Sequence, residues 1–303
     1  MPPKGKLPAP IINDPNSIYN FATVPQIDLL RPYPQFPGAF RGFPLFVANS
    51  DYQSLQVRFE KRLSYGLSVT GNYTFSKFMD YSDAGGNAWI GNLGFAGAPQ
   101  DLNNLRAEKS VSANDVPNRL AFAAIYELPV GRRRAFGNNM NRVLDAVVGG
   151  WQVNSFITFQ SGNPLVFLTY TQTLADSGGE GAQRPDINGK ACSGASIMSA
   201  VDGTSNYFNV ANFSQPPDQT AGNIGRYIND CRDQGIANAD LGLSKKVQIT
   251  ERKFIEVRGE FFNALNRPRF GLPNTIFGSP GFGVISSQYN APRHGQMGFR
   301  FVF

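Results

Sequence analysis

The chain has 303 residues, 17% of them charged against roughly 25% in an ordinary soluble domain, and its 32 glycines exceed the usual ~7%. Twenty-five phenylalanines, 11 tyrosines and 2 tryptophans exclude a disordered chain, and no apolar run approaches the ~18 to 20 residues of a membrane helix. The net charge of +6 is scattered apart from Arg132, Arg133 and Arg134, which excludes a continuous basic stripe for nucleic acid; with His294 the only histidine, no histidine pair is available for a metal site.

Ten of the 21 prolines fall in the first 44 residues, too dense for regular hydrogen-bonded elements, so residues 1–50 read as an irregular segment. That start has no apolar core of a secretory signal. From residue 51 onward the pattern changes to a period of two. Segment 54–62 carries Leu55, Val57 and Phe59 on one face. In 66–76, Leu67, Val69, Gly71, Tyr73 and Phe75 alternate with Ser68, Thr70, Asn72, Thr74 and Ser76. The same rule holds for 118–128, 150–160, 239–247, 254–263 and 296–303, with Ile125, Phe156 and Phe262 as exceptions on the polar face. Most of these stretches are longer than the strands of globular sheets and suit a tilted strand that crosses a bilayer.

The connections alternate in length: 3 residues (63–65), 41 (77–117), 21 (129–149), 78 (161–238), 6 (248–253) and 32 (264–295). Compact turns at one end and long excursions at the other define an antiparallel meander, part of an outer-membrane barrel with its turns in the periplasm. Within the 21-residue turn, Val143, Leu144, Val147 and Val148 have roughly helical spacing, so 141–148 reads equally as a short helix or a plain loop. The long connections show no periodicity and read as structureless. Seven strands are one short of the even number a barrel with both ends in the periplasm requires, so further strands are expected upstream.

Several other groups carry a chemical reading. Gly278, Gly281 and Gly283 lack the order and the preceding strand of a phosphate-binding loop. Asn229, Asp230, Asp233, Asn238 and Asp240 offer oxygens without the alternating spacing of a calcium loop. Arg58, Glu60, Glu256, Arg258, Glu260 and Arg300 fall on the polar face, which in a barrel faces the lumen; that placement accounts for them without catalysis. Tyr65, Tyr73, Phe75, Phe78, Tyr126 and Trp151 suit interfacial girdles. Cys192 and Cys231 both fall in the 78-residue outer loop, where an oxidising environment favours a disulfide worth roughly 3 to 4 kcal/mol, provided their Cα atoms come within about 4.4 to 6.8 Å.

Tyr52–Arg62 (YQSLQVRFEKR), Gly71–Lys77 (GNYTFSK), Asn118–Gly131 (NRLAFAAIYELPVG) and Gly149–Pro164 (GGWQVNSFITFQSGNP) are followed in order by Arg184–Asp186 (RPD), Tyr207–Pro217 (YFNVANFSQPP), Gly222–Arg226 (GNIGR), Asn238–Leu243 (NADLGL) and Arg258–Pro273 (RGEFFNALNRPRFGLP). Together these stretches resemble the C-terminal part of TonB-dependent outer-membrane receptors of the Oar-like kind. The last eight residues look like a barrel-assembly signal, with Gln296, Gly298, Phe301 and Phe303 as its pattern. The resemblance implies residence in the outer membrane of a Gram-negative bacterium, with membrane lipid and the barrel-assembly machinery as partners. It implies contact with the TonB complex only through an N-terminal plug region that this sequence lacks. The expected organisation is an irregular segment or outer loop over 1–50 and barrel wall over 51–303. The expected role is transport of a bulky solute, with no enzymatic activity, no cofactor and no nucleic-acid partner. A small stand-alone outer-membrane β-protein with adhesive loops, and a secreted β-sandwich binding module, are the alternatives.

Overall fold

Alternating side chains produce seven long strands that pair in chain order: β1 (Ser50–Ser64), β2 (Leu67–Asp80), β3 (Asn118–Glu127), β4 (Trp151–Gln160), β5 (Ile236–Gln248), β6 (Phe254–Phe262) and β7 (His294–Val302). The structure is a computed structural model and describes residues 49–81, 98–101, 104–174, 183–250 and 252–303. Residues 1–48 of the proline-rich segment lie outside the described residues. Each long strand is antiparallel to its neighbours, and the short strand Ser110–Val111 adds to the far end of β2. Strand β1 begins four residues ahead of its alternating stretch, β2 runs on to Asp80 and β5 starts at Ile236. The ladder continues where the two faces no longer differ in solvent, and pattern cannot mark that extension.

Register sorts the side chains into two continuous faces. One row runs Lys61, Val69, Ala124, Ser155, Leu241, Phe261, Gly295 across all seven strands. The rows next to it carry Tyr126, Val153, Leu243 and Met297, then Trp151, Lys245, Val257 and Phe299. On the opposite face Asn154, Gly242, Glu260 and Gln296 form a row, and so do Lys246, Glu256 and Arg300. The apolar face stays open, Phe299 being 71% and Leu55 60% exposed. An apolar face presented outward and a charged face inward is the section of a barrel wall whose core is lipid.

At one end of the wall the connections are tight. Tyr65 (φ 51°) and Gly66 (φ 76°) form a two-residue turn between the paired Ser64 and Leu67, the left-handed geometry that matches strand twist. A Cβ on Gly66 would sit 2.9 Å from the Glu127 carbonyl, so glycine is required there for space as well. The β3–β4 connection contains a helix, α1 (Arg142–Val148), so the helical spacing does become about two turns of helix. Asn141 caps it, its side chain accepting from the Leu144 N–H at 2.7 Å.

The other end corrects the expectation of structureless loops. The described residues of 81–117, 161–235 and 263–293 pack on one another and hold most of the buried hydrophobic residues described. Phe167 is fully buried against Phe208, Phe213 and Phe282, at ring separations of 4.9, 5.0 and 6.2 Å. The aqueous side of the wall has no lipid to cover apolar groups, so the long connections build a core of their own.

Candidate functional site

The folded loops form a cap over the outer mouth of the wall, held by buried ion pairs. Arg184 sits in the 161–235 connection, and its guanidinium grips Glu108 in the β2–β3 connection through two bonds of 2.7 and 2.9 Å, both side chains 1% exposed. Glu108 also accepts the Gln100 N–H at 3.0 Å, and the Arg184 Nε donates to the Ile224 carbonyl at 3.1 Å, so every strong donor and acceptor in this pair is occupied. Arg226 pairs with the Asp80 carboxylate at the end of β2 and donates to the Asp80 carbonyl at 2.9 Å. Arg232 donates to Asp115 at 2.6 Å and to the Gly162 carbonyl at 3.1 Å, while Asp115 also accepts the Phe78 N–H at 2.6 Å.

Backbone approach allows this crowding. A Cβ on Gly222 would stand 2.0 Å from the Arg184 carbonyl, so the chain can pass there only as glycine. Cys192 and Cys231 are brought together as a disulfide with a Cα separation of 5.2 Å, and Cys231 is fully buried in the phenylalanine core. Asp233 is half-buried within reach of the charges of Arg232 and Arg269. Burial pushes its carboxyl up to about 6 against the pull of the Asn163 N–H and the two arginines. Burial, and secondarily the Asp233 charge, also raise the Tyr207 phenol, which donates to the Arg232 carbonyl at 2.7 Å.

Beneath the cap, on the polar face of β4, β5 and β6, lies a cavity of about 620 Å³. Gln160, Asn238 and Asp240 reach it from the wall, and Arg267, Arg269 and His294 from the last long connection and its end. The imidazole of His294 stacks on Phe262 at 5.1 Å and 23°, forming a flat ring platform in a lining that mixes polar side chains with Ile236, Ala237, Pro268 and Ala291. Arg269 stands over the Tyr289 ring at 5.5 Å, and its Nε is buried with no hydrogen-bond partner among the described residues. Amides, two guanidinium groups and a ring platform suit a large polar solute.

The loop oxygens that lack calcium-loop spacing do not converge either. Asn229 accepts from Lys77 and Arg232, Asp233 from Asn163, and Asp240 from the Asn263 N–H, and no cluster of three metal-binding acids occurs among the described residues. Gln296, Gly298, Phe301 and Phe303 lie along or just beyond β7, at one edge of the sheet. Gln296 donates to Glu260, and Gly298 leaves room for Arg258, whose Nε would lie 2.9 Å from an added Cβ. Phe301 and Phe303 neighbour each other at 5.9 Å, and Phe303 is exposed. Sequence reasoning missed Glu108, Asp115, Arg184, Arg226 and Arg267; the three arginines stood in stretches that carry the family resemblance, but contacts across the chain left no local signal.

Residues 5–296 match the model of a protein family described as outer membrane beta barrel domain. No curated protein and no solved structure matches the chain.

Proposed function

The chain belongs to the outer membrane beta barrel domain family, which places it in the outer membrane of a Gram-negative bacterium. From that premise we propose that it is the C-terminal barrel portion of a TonB-dependent, Oar-like receptor that moves a bulky polar solute across this membrane. The observation that carries the reading is the cavity of about 620 Å³ at the outer end of the charged wall face, roofed by a cap that ion pairs hold in place. A solute entering there meets Arg267, Arg269 and the Phe262–His294 platform before it meets the lumen.

The reading involves transport without catalysis. Glu256 and Glu260 stand opposite Arg300 and Gln296 in register, an arrangement in which wall charges neutralise one another. The barrel-assembly machinery would receive β7, and the TonB complex would act through a plug region outside this sequence. A second reading, an outer-membrane protein with adhesive loops, draws on Tyr170, Met198 and Val210, which are exposed on the cap.

Uptake separates the two. Cells lacking the gene should lose energy-dependent accumulation of at least one member of a panel of labelled glycans, peptides and metal chelates, and Arg267→Glu with Arg269→Glu should reproduce the loss. A frame upstream that encodes no plug, together with unchanged uptake and lost surface adhesion, would replace transport with adhesion.

A further inference from the structure

We propose that the β3–β4 connection is a lipid-headgroup site, in which α1 seats the turn end of the wall in the phospholipid leaflet and Arg132, Arg133 and Arg142 hold anionic headgroups. Placement comes from the wall. Trp151 and Lys245 face each other in register on the apolar, lipid-facing side, and both hold α1. The indole N–H donates to the Val147 carbonyl at 3.0 Å, and the Lys245 ammonium donates to the Asp145 carbonyl at 3.2 Å and to that of Gly149. The helix therefore lies against the outside of the wall, at the end away from the cap.

What α1 turns outward is apolar. Val143 is 78% and Val147 64% exposed, and Leu144, Val148 and the preceding Phe136 are exposed as well. A helix surrounded by water would bury those groups; one resting at the boundary between headgroups and acyl chains has no need to.

Charge selects the occupant. Arg132, Arg133, Arg134 and Arg142 are all exposed beside that apolar surface. Arg134 pairs with Glu127 at 3.0 Å, whereas the other three have no carboxylate partner among the described residues. The Asp145 carboxylate accepts the Arg132 N–H at 2.7 Å, which fixes the arginine run against the helix. The three turn-end segments 60–66, 127–150 and 245–256 hold ten cations against five carboxylates, in a chain whose whole net charge is +6. Guanidinium groups pair with phosphate oxygens two at a time, and a basic surface beside buried apolar groups attracts anionic lipid. A free phosphate ion would use the arginines and leave the apolar surface uncovered, so the lipid is the source these observations favour. The inference rests on the barrel wall alone and holds whichever solute the protein carries.

The full chain carrying Trp89→Phe keeps Trp151 as its only indole. Assembled in phosphatidylcholine nanodiscs, it is titrated with either brominated phosphatidylglycerol or brominated phosphatidylcholine. Trp151 fluorescence should be quenched about threefold more effectively by the anionic lipid. Arg132→Gln with Arg133→Gln should bring the two lipids to parity, and so should high salt on the unsubstituted arginines, which serves equally if the variant does not assemble. Equal quenching without salt would overturn the proposal. So would a preference that survives both salt and substitution, or one that inorganic phosphate removes at constant ionic strength.

Discussion

The wall and the cap are made from one chain and solve the burial problem in opposite ways. Strands β1 to β7 leave Leu55, Phe59, Met297 and Phe299 uncovered, because the ladder satisfies the backbone and lipid covers the side chains. The cap meets water and therefore needs an interior, with Phe167, Phe208, Phe213 and Phe282 at its centre and carboxylate–arginine pairs around it. One region is stabilised by its solvent and the other by its own packing. Substitutions that look alike on paper should consequently act on one region and spare the other.

The largest separation is expected from the Arg184–Glu108 pair. Arg184→Leu strands a buried carboxylate and should destabilise the cap by about 3 to 5 kcal/mol. The loops should become open to limited proteolysis while the strands remain resistant. Changing Glu108→Leu in the same chain should restore much of the protection, since no unpaired charge is then left inside. Loss of the strands together with the loops would show that wall and cap do not unfold separately.

The wall should answer to lipid. Leu241 faces outward between Ser155 and Phe261, and Asn154 faces the lumen between Ile125 and Gly242. Leu241→Arg should cost about 2 to 4 kcal/mol and lower the amount of assembled protein in outer-membrane fractions, with Asn154→Arg close to neutral. Equal losses would overturn the assignment of the two faces.

The smallest effect concerns acid. The folded Asp233 carboxyl is raised from 3.8 to about 6, so the fold prefers its protonated form. Its contribution to stability is complete below about pH 4 and is lost as pH rises through 6, on the order of 2 kcal/mol in all. Asp233→Asn keeps an acceptor for the Asn163 N–H and removes the titration. Cap unfolding followed from pH 4 to 7.5 should lose that decline in the variant, and an unchanged pH profile would place the decline elsewhere.

The same division explains what the sequence made legible. Seven strands and their order were readable because lipid on one side and lumen on the other impose a period of two, visible from Leu67 to Phe75 without any knowledge of partners. A tight turn was readable from its length, although the pattern puts it at 63–65 and it falls at Tyr65 and Gly66, because β1 and β2 stay paired as far as Ser64 and Leu67. Cap structure was not, because its contacts have no period. Glu108 and Arg184 are 76 residues apart, and Asp80 and Arg226 are 146 apart. Only the cysteines announced a contact within it, since two cysteines allow a single pairing. The cavity was equally silent, its lining drawn from four strands and two connections whose polar residues look locally like solvated loop.

The three arginine clasps have a mechanical consequence. Arg226 ties the 161–235 connection to the end of β2, and Arg232 ties it to Asp115, three residues before β3 begins. That connection springs from β4 and returns into β5, so four neighbouring staves of the wall are hooped together at the outer rim, as a barrel's are by iron. A load on any one of these strands is then shared with its neighbours, which resists splaying of the rim. The spacing of these four strands at the outer rim should therefore hold even where the lipid-covered wall below it flexes.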